Sequence, residues 1–282
     1  MNVQGSVLGV DVGWSEKRRS SAVCLLSWNV RRIDMRIERF RATPSDRANT
    51  ISRVAGESDL HAVAIDGPLR PGFGAIGHYR SAERLLSRGE LRRRIGKPGQ
   101  SSSPNGKKLN AQANEAALLV KRRLRIRKPK QKVQIDDYAI VEAFPTTFLG
   151  VMIEHPERLA SSRSRSDRYF ADLAERKCFN RLANRLLGGR KWSKEPDEVK
   201  NHDDRAALVC ALTALSVVMG EFAAVGDGED GWIMLPPRWA FADWAWRAAC
   251  KAALDEGASP ALASTGKLLS FSENELCSTT SC

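Results

Sequence analysis

No two cysteines stand at close spacing in this chain. The six, Cys24, Cys178, Cys210, Cys250, Cys277 and Cys282, never form C-x-x-C, which excludes a zinc ribbon and a thioredoxin-type motif. Long hydrophobic runs are also missing. The longest, residues 206–220, falls short of the roughly 20 residues that cross a bilayer. The first residues lack the charged-then-apolar build of a signal peptide, and no internal repeat occurs. A reducing cytoplasm and no membrane partner are therefore expected. Acidic charge is scarce in one segment: residues 70–132 carry eighteen Lys and Arg against Glu83, Glu90 and Glu115.

What is present suits one large domain with an appendage. The chain has 282 residues, of which 42% are hydrophobic, enough to bury a core. The net charge of +12 points to a polyanion, nucleic acid before anionic membrane. That charge is concentrated in 70–132, because the remainder is slightly acidic. Concentrated charge favours a binding surface, and Arg92, Arg93, Arg94, Lys107, Lys108, Lys121, Arg122, Arg123 and Arg125 are its candidate nucleic-acid contacts. A solvated helical face is the plainer reading of the same arginines.

Taken in order, residues 6–14 read as a central strand, nearly continuous in apolar and β-branched residues. Residues 22–28 form a second strand, and 31–40, with a period of two, a half-exposed third. Residues 44–57 predict a helix, and a strand over 62–68 follows. A helix between two buried strands is a crossover, so this fourth strand is expected parallel to the first. Helices are expected over 79–94 and 110–126, a fifth strand over 138–144, and helices over 147–154, 167–187 and 203–224. Residues 161–166 are polar, 191–201 a charged linker, and 226–237 a turn with one edge strand. A Trp-rich helix over 238–256 and a polar tail from 257 complete the chain. Segment 238–282 is a candidate surface for self-assembly or a protein partner.

Three of the strands break their apolar register with one acid each: Asp11 in V-L-G-V-D-V-G-W, Asp66 in A-V-A-I-D-G-P, and Glu142 in A-I-V-E-A-F-P. The longest apolar helix opens on His202-Asp203-Asp204. Singly these have plain readings. Asp11 and Asp66 sit before glycines and can be turn residues, and Asp203 or Asp204 can cap its helix. Glu142 is harder to dismiss, because a lone acid in a buried strand is costly unless paired.

The order of elements resembles the ribonuclease H-like arrangement, a mixed five-stranded sheet in the order 3-2-1-4-5 flanked by helices. The motifs G-V-D-V-G-W (9–14), I-D-G-P-L (65–69), V-E-A-F-P-T (141–146), H-D-D-R-A-A-L-V-C-A-L-T-A (202–214) and G-D-G-E-D-G-W-I-M-L-P (226–236) resemble domain of unknown function 429. That family consists of predicted ribonuclease H-like nucleases. The resemblance runs over about residues 1–237, with 70–132 as a basic helical insertion. One place departs from it: the second acid of the family's last helix is Ala206 here, and Asp204 is an added candidate.

The resemblance implies a metal-dependent nuclease. Asp11, Asp66, Glu142, Asp203 and Asp204 are its candidate catalytic residues, with Asp11, Asp66, Glu142 and Asp203 as ligands of Mg2+ or Mn2+. Asp11 would bridge two ions, Asp66 and Asp203 or Asp204 would bind one each, and Glu142 would complete a shell or orient water. Hard ions take oxygen ligands, so acids are the right residue type. Two ions would stabilise both oxygens of phosphodiester hydrolysis, and the basic segment would hold the backbone beside them. Two rivals stay open. One is a catalytically silent nucleic-acid or partner-binding module. The other is a phosphotransferase of the actin and sugar-kinase type, which normally needs a duplicated core.

Overall fold

The computed structural model describes residues 4–128, 133, 138–159 and 165–256, and the backbone of 262–264 and 267–269. Its centre is a sheet in which the first strand, β1 (Gly5–Asp11), lies between β2 (Ser21–Trp28) and β4 (Leu60–Asp66). The β1–β2 pair is antiparallel, as is β2 with β3 (Arg32–Phe40). Helix α1 (Pro44–Ala55) returns the chain, so β4 runs parallel to β1, and β5 (Ile140–Ala143) runs parallel to β4. The expected core order 3-2-1-4-5 is present.

The sheet is longer than five strands. It runs β10-β9-β7-β8-β5-β4-β1-β2-β3-β6. The expected turn over 226–237 is a hairpin of β7 (Ala223–Asp227) and β8 (Gly231–Leu235), and β8 pairs parallel with β5. The expected charged linker contains β6 (Lys191–Trp192), parallel to β3. The expected polar tail supplies β9 (Leu262–Ser264) and β10 (Lys267–Leu269). Residues 161–164 and the rest of the tail lie outside the described residues.

Alternation divides the core. Leu8 and Val10 of β1 and Ile65 of β4 face α1 and α4 (Pro104–Arg123). Val7, Ala62 and Ala64 point the other way, into the cluster formed by α9 (His202–Met219). Asn201 caps α9, accepting from the Asp203 and Asp204 N–H groups, and left-handed Gly220 ends it. Between β1 and α9 there is no room for a side chain at Gly9. A Cβ there would stand 2.2 Å from the Ala211 N and 2.3 Å from the Ala207 O. Backbone packs on backbone at this point, which requires glycine on the strand and alanine on the helix.

Two expected single helices are broken. The 79–94 helix is α2 (Ser81–Leu86) and α3 (Gly89–Arg94), with Gly89 at φ 46. The 167–187 helix is α7 (Arg165–Glu175) and α8 (Cys178–Leu187), separated by Lys177 at φ 53. Helical spacing continues through both breaks because the apolar faces on either side meet the same core. The two short helices between, α5 (Pro145–Gly150) and α6 (Pro156–Leu159), turn the chain after β5. The Trp-rich helix α10 (Asp243–Asp255) packs back onto α2 and α3. Its Trp244 indole N–H donates to the Ile153 carbonyl at 2.9 Å, and Trp244 and Trp246 are buried. No described helix is long and apolar enough to cross a membrane.

Gly9→Ala is expected to destabilise the protein by about 3 kcal/mol, the upper end for overpacking, because helix backbone cannot move aside as a side chain can. A lowered denaturant midpoint in chemical unfolding would register it, with Gly77→Ala, where a Cβ meets open space, as the control.

Candidate active site

β1 and β4 end side by side on aspartate. In the parallel register Asp11 is the partner of Asp66. Asp11 also opposes Ala22, and Ala22 opposes Arg39, while Asp66 is in register with Ala143. Partners in register share a face, so Ala143, Asp66, Asp11, Ala22 and Arg39 form one row across five strands, about 4.8 Å apart from strand to strand. That face carries α9. Asp203 and Asp204 lie in its first turn, one turn before the Ala207 that rests on Gly9. They are not the cap, because Asn201 does that work, and their carboxylates remain free for other contacts. The Arg39 Nε lies 3.6 Å from Asp204 Oδ1.

Placing these acids near one another is electrostatically costly. Burial, then Asp66, Asp203 and Asp204 in that order, hold the Asp11 carboxyl well above the ordinary carboxylate range. Asp11 and Asp66 are joined by a side-chain hydrogen bond. Burial and the Glu142 charge push Asp66 up to about 7, against the opposing pull of that bond. Burial also raises half-buried Asp203 and Asp204, with Arg39 pulling both down. Two thiols lie in the same layer. Cys210 of α9 is raised well above its usual range by burial and then by Asp66 and Asp11, and Cys24 is raised by burial and Asp204.

Glu142 is placed differently. It is in register with Ile65 rather than Asp66, so its side chain leaves the sheet on the opposite face. There Arg80 grips it with two guanidinium nitrogens, each 2.8 Å from one carboxylate oxygen, and the Leu69 N–H donates to it at 2.8 Å. Arg80 is 1% exposed. Burial works against its charge, but Glu142 and Glu83 outweigh that and hold it cationic. The Ser101 N–H and hydroxyl donate to Glu83, and Arg80 also donates to the Leu69 and Asp230 carbonyls. Glu142, expected as ligand or water-orienting group, is instead found paired on the opposite face of the sheet. Its oxygens are engaged in a buried ion pair that ties β5, the strand after it in the sheet, α2 and the loop before α4 together.

Between Asp66 and the start of α4 lies a cavity of about 130 Å3, lined by Asp66, Arg80, Glu142, Ser101, Gly106 and Ile233 among others. A few waters fill such a volume, at about 30 Å3 each. Lys107 and Lys108 are exposed in the turn of α4 next to Gly106. Arg122, Arg123 and Arg125 are exposed too, but at the far end of α4, about 24 Å away by helical rise. There the Arg125 carbonyl accepts from Leu60, the first residue of β4. They stand at the opposite edge of the sheet from Asp11 and Asp66, so the basic segment does not lie beside the acids as one surface.

Much of that segment is committed inside the protein. Arg94 donates to Glu157 at 2.9 Å and to the Glu154 carbonyl at 2.6 Å, and stacks 4.0 Å over Trp244; it is not a free phosphate contact. Arg93 pairs with Glu90, and Arg84 and Arg88 with Glu256. Lys121 lies over the rings of Phe73 and Tyr138, and Arg92 is exposed. Sequence reasoning missed Arg80, Glu83, Ser101 and Arg39. A lone acid in a strand announces that a cation partner exists, but nothing in the linear order singles out Arg80 among eighteen candidates.

The donor set suits a hard divalent ion, being oxygen only. One observation fits such an ion: Asp204 Oδ1 is buried without a hydrogen-bond partner, the Arg39 Nε standing 3.6 Å from it. Among the described residues, however, no three His, Cys, Asp or Glu side chains already converge as a metal-holding group. The donors fit in kind, and Asp203 or Asp204 would have to turn toward the Asp11–Asp66 pair to complete a set. Comparison with family models, with curated proteins and with solved structures gives no match for this chain.

The raised Asp66 carboxyl sets a pH dependence. The folded state binds more protons than the unfolded one between about pH 4, where a free carboxyl titrates, and its folded value, about 7. Stability is thus full below that window and is lost as pH rises through it, by a few kcal/mol at most. Asp66→Asn is expected to flatten this slope and to raise stability at neutral pH, read by urea unfolding across the window.

Proposed function

We propose that this chain is a metal-dependent nuclease, a hydrolase of phosphodiester bonds in nucleic acid on a ribonuclease H-like sheet. The observation that carries the reading is the pairing of Asp11 and Asp66 in register at one edge, hydrogen-bonded to each other, with Asp203 and Asp204 in the first turn of the helix on the same face. Evenly dispersed acids would serve solubility as well. Two buried carboxyls set side by side by separate strands, with two more acids near enough to raise Asp11, are better explained by a cation that relieves their repulsion.

Asp11 and Asp66 would hold Mg2+ or Mn2+, with Asp203 or Asp204 closing the set. Bound there, the ion supplies a water of lowered pKa and stabilises charge developing on the phosphate oxygens. Arg39 keeps Asp204 beside the row. The α9 backbone, seated on Gly9, excludes water from the inner side of the pair. Arg80 and Glu142 act as positioning residues: they hold the end of β5 and the loop before α4, which form the cavity wall next to Asp66. Lys107 and Lys108 would receive a phosphate backbone at that wall.

The test is cleavage of labelled single- and double-stranded DNA and RNA, with Mg2+ or Mn2+ against EDTA. Metal-dependent cutting is expected, reduced at least about 100-fold in Asp11→Asn and Asp66→Asn with nucleic-acid binding retained. Salt-sensitive binding without cutting by any of the proteins would overturn the proposal in favour of a silent binding module.

A further inference from the structure

The acids have a second neighbour that the basic segment 70–132 does not supply. Immediately after Asp11 the chain makes the turn 12–20, which leads into β2. Among the described residues, Trp14 and Val30 are the large hydrophobic side chains that stand exposed, Trp14 at 49%. Val30 belongs to the turn between β2 and β3, at the other end of those strands. Trp14 lies three residues past Asp11, at the same edge as the acids. Trp28, Trp192, Trp232, Trp244 and Trp246 are buried, and Trp239 packs under Arg185. Trp14 thus leaves about half of its surface to solvent, open to a partner ring.

The turn is not loose. The Gly13 N–H donates to Ser21 Oγ at 2.9 Å, and the Arg18 N–H to Ser15 Oγ at 3.0 Å. The Ala42 N–H donates to the Ser15 carbonyl at 3.0 Å, and Arg41 Nε to the Lys17 carbonyl at 3.4 Å. Gly13 is needed for this closure, since a Cβ there would meet the Ser20 carbonyl at 2.2 Å. The ring is therefore carried on a fixed platform fastened to the end of β3. Lys17, Arg18 and Arg19 of the same turn are exposed, as is Arg41 just past β3, whose guanidinium lies 3.9 Å from Asp46; Arg39 belongs to the row of the acids, and Glu16 is the acid of the turn.

We infer that the 12–20 turn and the end of β3 form a docking surface for single-stranded nucleic acid, an unpaired base stacking on the Trp14 ring and the flanking phosphates meeting Arg18, Arg19 and Arg41. The inference rests on the nuclease reading for its ligand class and deepens it, because it states which form of nucleic acid reaches the acids and from which side. Charge complementarity favours a polyanion. The aromatic face within the cations favours one whose bases are free to stack, because a duplex offers only its phosphates and groove edges to such a surface. A turn whose backbone is already fastened loses little freedom on binding.

The experiment is binding in EDTA, where cleavage plays no part, of a fluorescein-labelled single strand and of the matching duplex. Wild type is expected to prefer the single strand. Trp14→Ala is expected to weaken single-strand binding about 5- to 100-fold, the range of one base–aromatic stack, and to leave duplex binding nearly unchanged. Trp14→Phe keeps a stacking ring, so most affinity remains while quenching of tryptophan fluorescence by unlabelled strand is lost. Arg18→Ala and Arg19→Ala each lower the salt dependence of single-strand binding by about 0.7 in log–log slope. Single-strand binding by Trp14→Ala equal to wild type, a preference for duplex, or no binding at all would overturn the inference. Binding as expected without cutting in Mg2+ or Mn2+ would remove the nuclease reading and leave this surface standing. Cutting with wild-type binding by Trp14→Ala would do the reverse.

Discussion

The seat of α9 on Gly9 is the contact on which the site depends. Helix and strand approach until backbone meets backbone, with Ala207 and Ala211 on one side and no side chain on the other. From that point β1 runs two residues on to Asp11, and α9 runs back one turn to Asp203 and Asp204. Both paths reach the same edge of the sheet. A bulkier residue at any of the three positions would lift the helix and separate the acids, whatever happened to the rest of the core.

Two adjacent carboxyl sites at this edge show two ways of meeting the cost of buried charge. Glu142 is met by Arg80 and a backbone N–H, a complete and permanent solution that leaves it no free lone pair of consequence. Asp11 and Asp66 are instead hydrogen-bonded to each other, and Asp66 lines the cavity. The first arrangement makes structure, since it binds β5, α2 and the α4 loop into one unit. The second sets two carboxyls side by side, and the proposed metal site rests on that pair. The difference is set by strand alternation alone, which sends Glu142 to one face and Asp66 to the other although they belong to neighbouring strands.

The core topology was legible in the sequence because each central strand is a continuous apolar run and the 44–57 helix forces β4 parallel to β1. The acids were legible for the same reason: Asp11 and Asp66 interrupt those runs. What was not legible depends on long-range pairing. The hairpin of β7 and β8 and the edge strand β6 gain their partners from distant parts of the sheet, and Lys191–Trp192 is too short to show a period. The breaks at Lys177 and Gly89 were hidden because the apolar spacing carries through them. The basic segment misled in proportion to its charge. Arg80, Arg84, Arg88 and Arg94 answer buried or distant acids, while the cations nearest the edge of Asp11 include Arg39 and Arg41, which read only as the polar half of a strand.

Ion binding tests the central claim most directly. A crystal of the wild-type protein soaked in Mn2+ and measured for anomalous scattering locates the ion without reference to any substrate. The account predicts a peak between Asp11 and Asp66, with Asp203 or Asp204 turned toward it and Arg80 still on Glu142. A well-ordered edge with no peak, or a peak held by other residues while Asp11 and Asp66 remain hydrogen-bonded to each other, would contradict it.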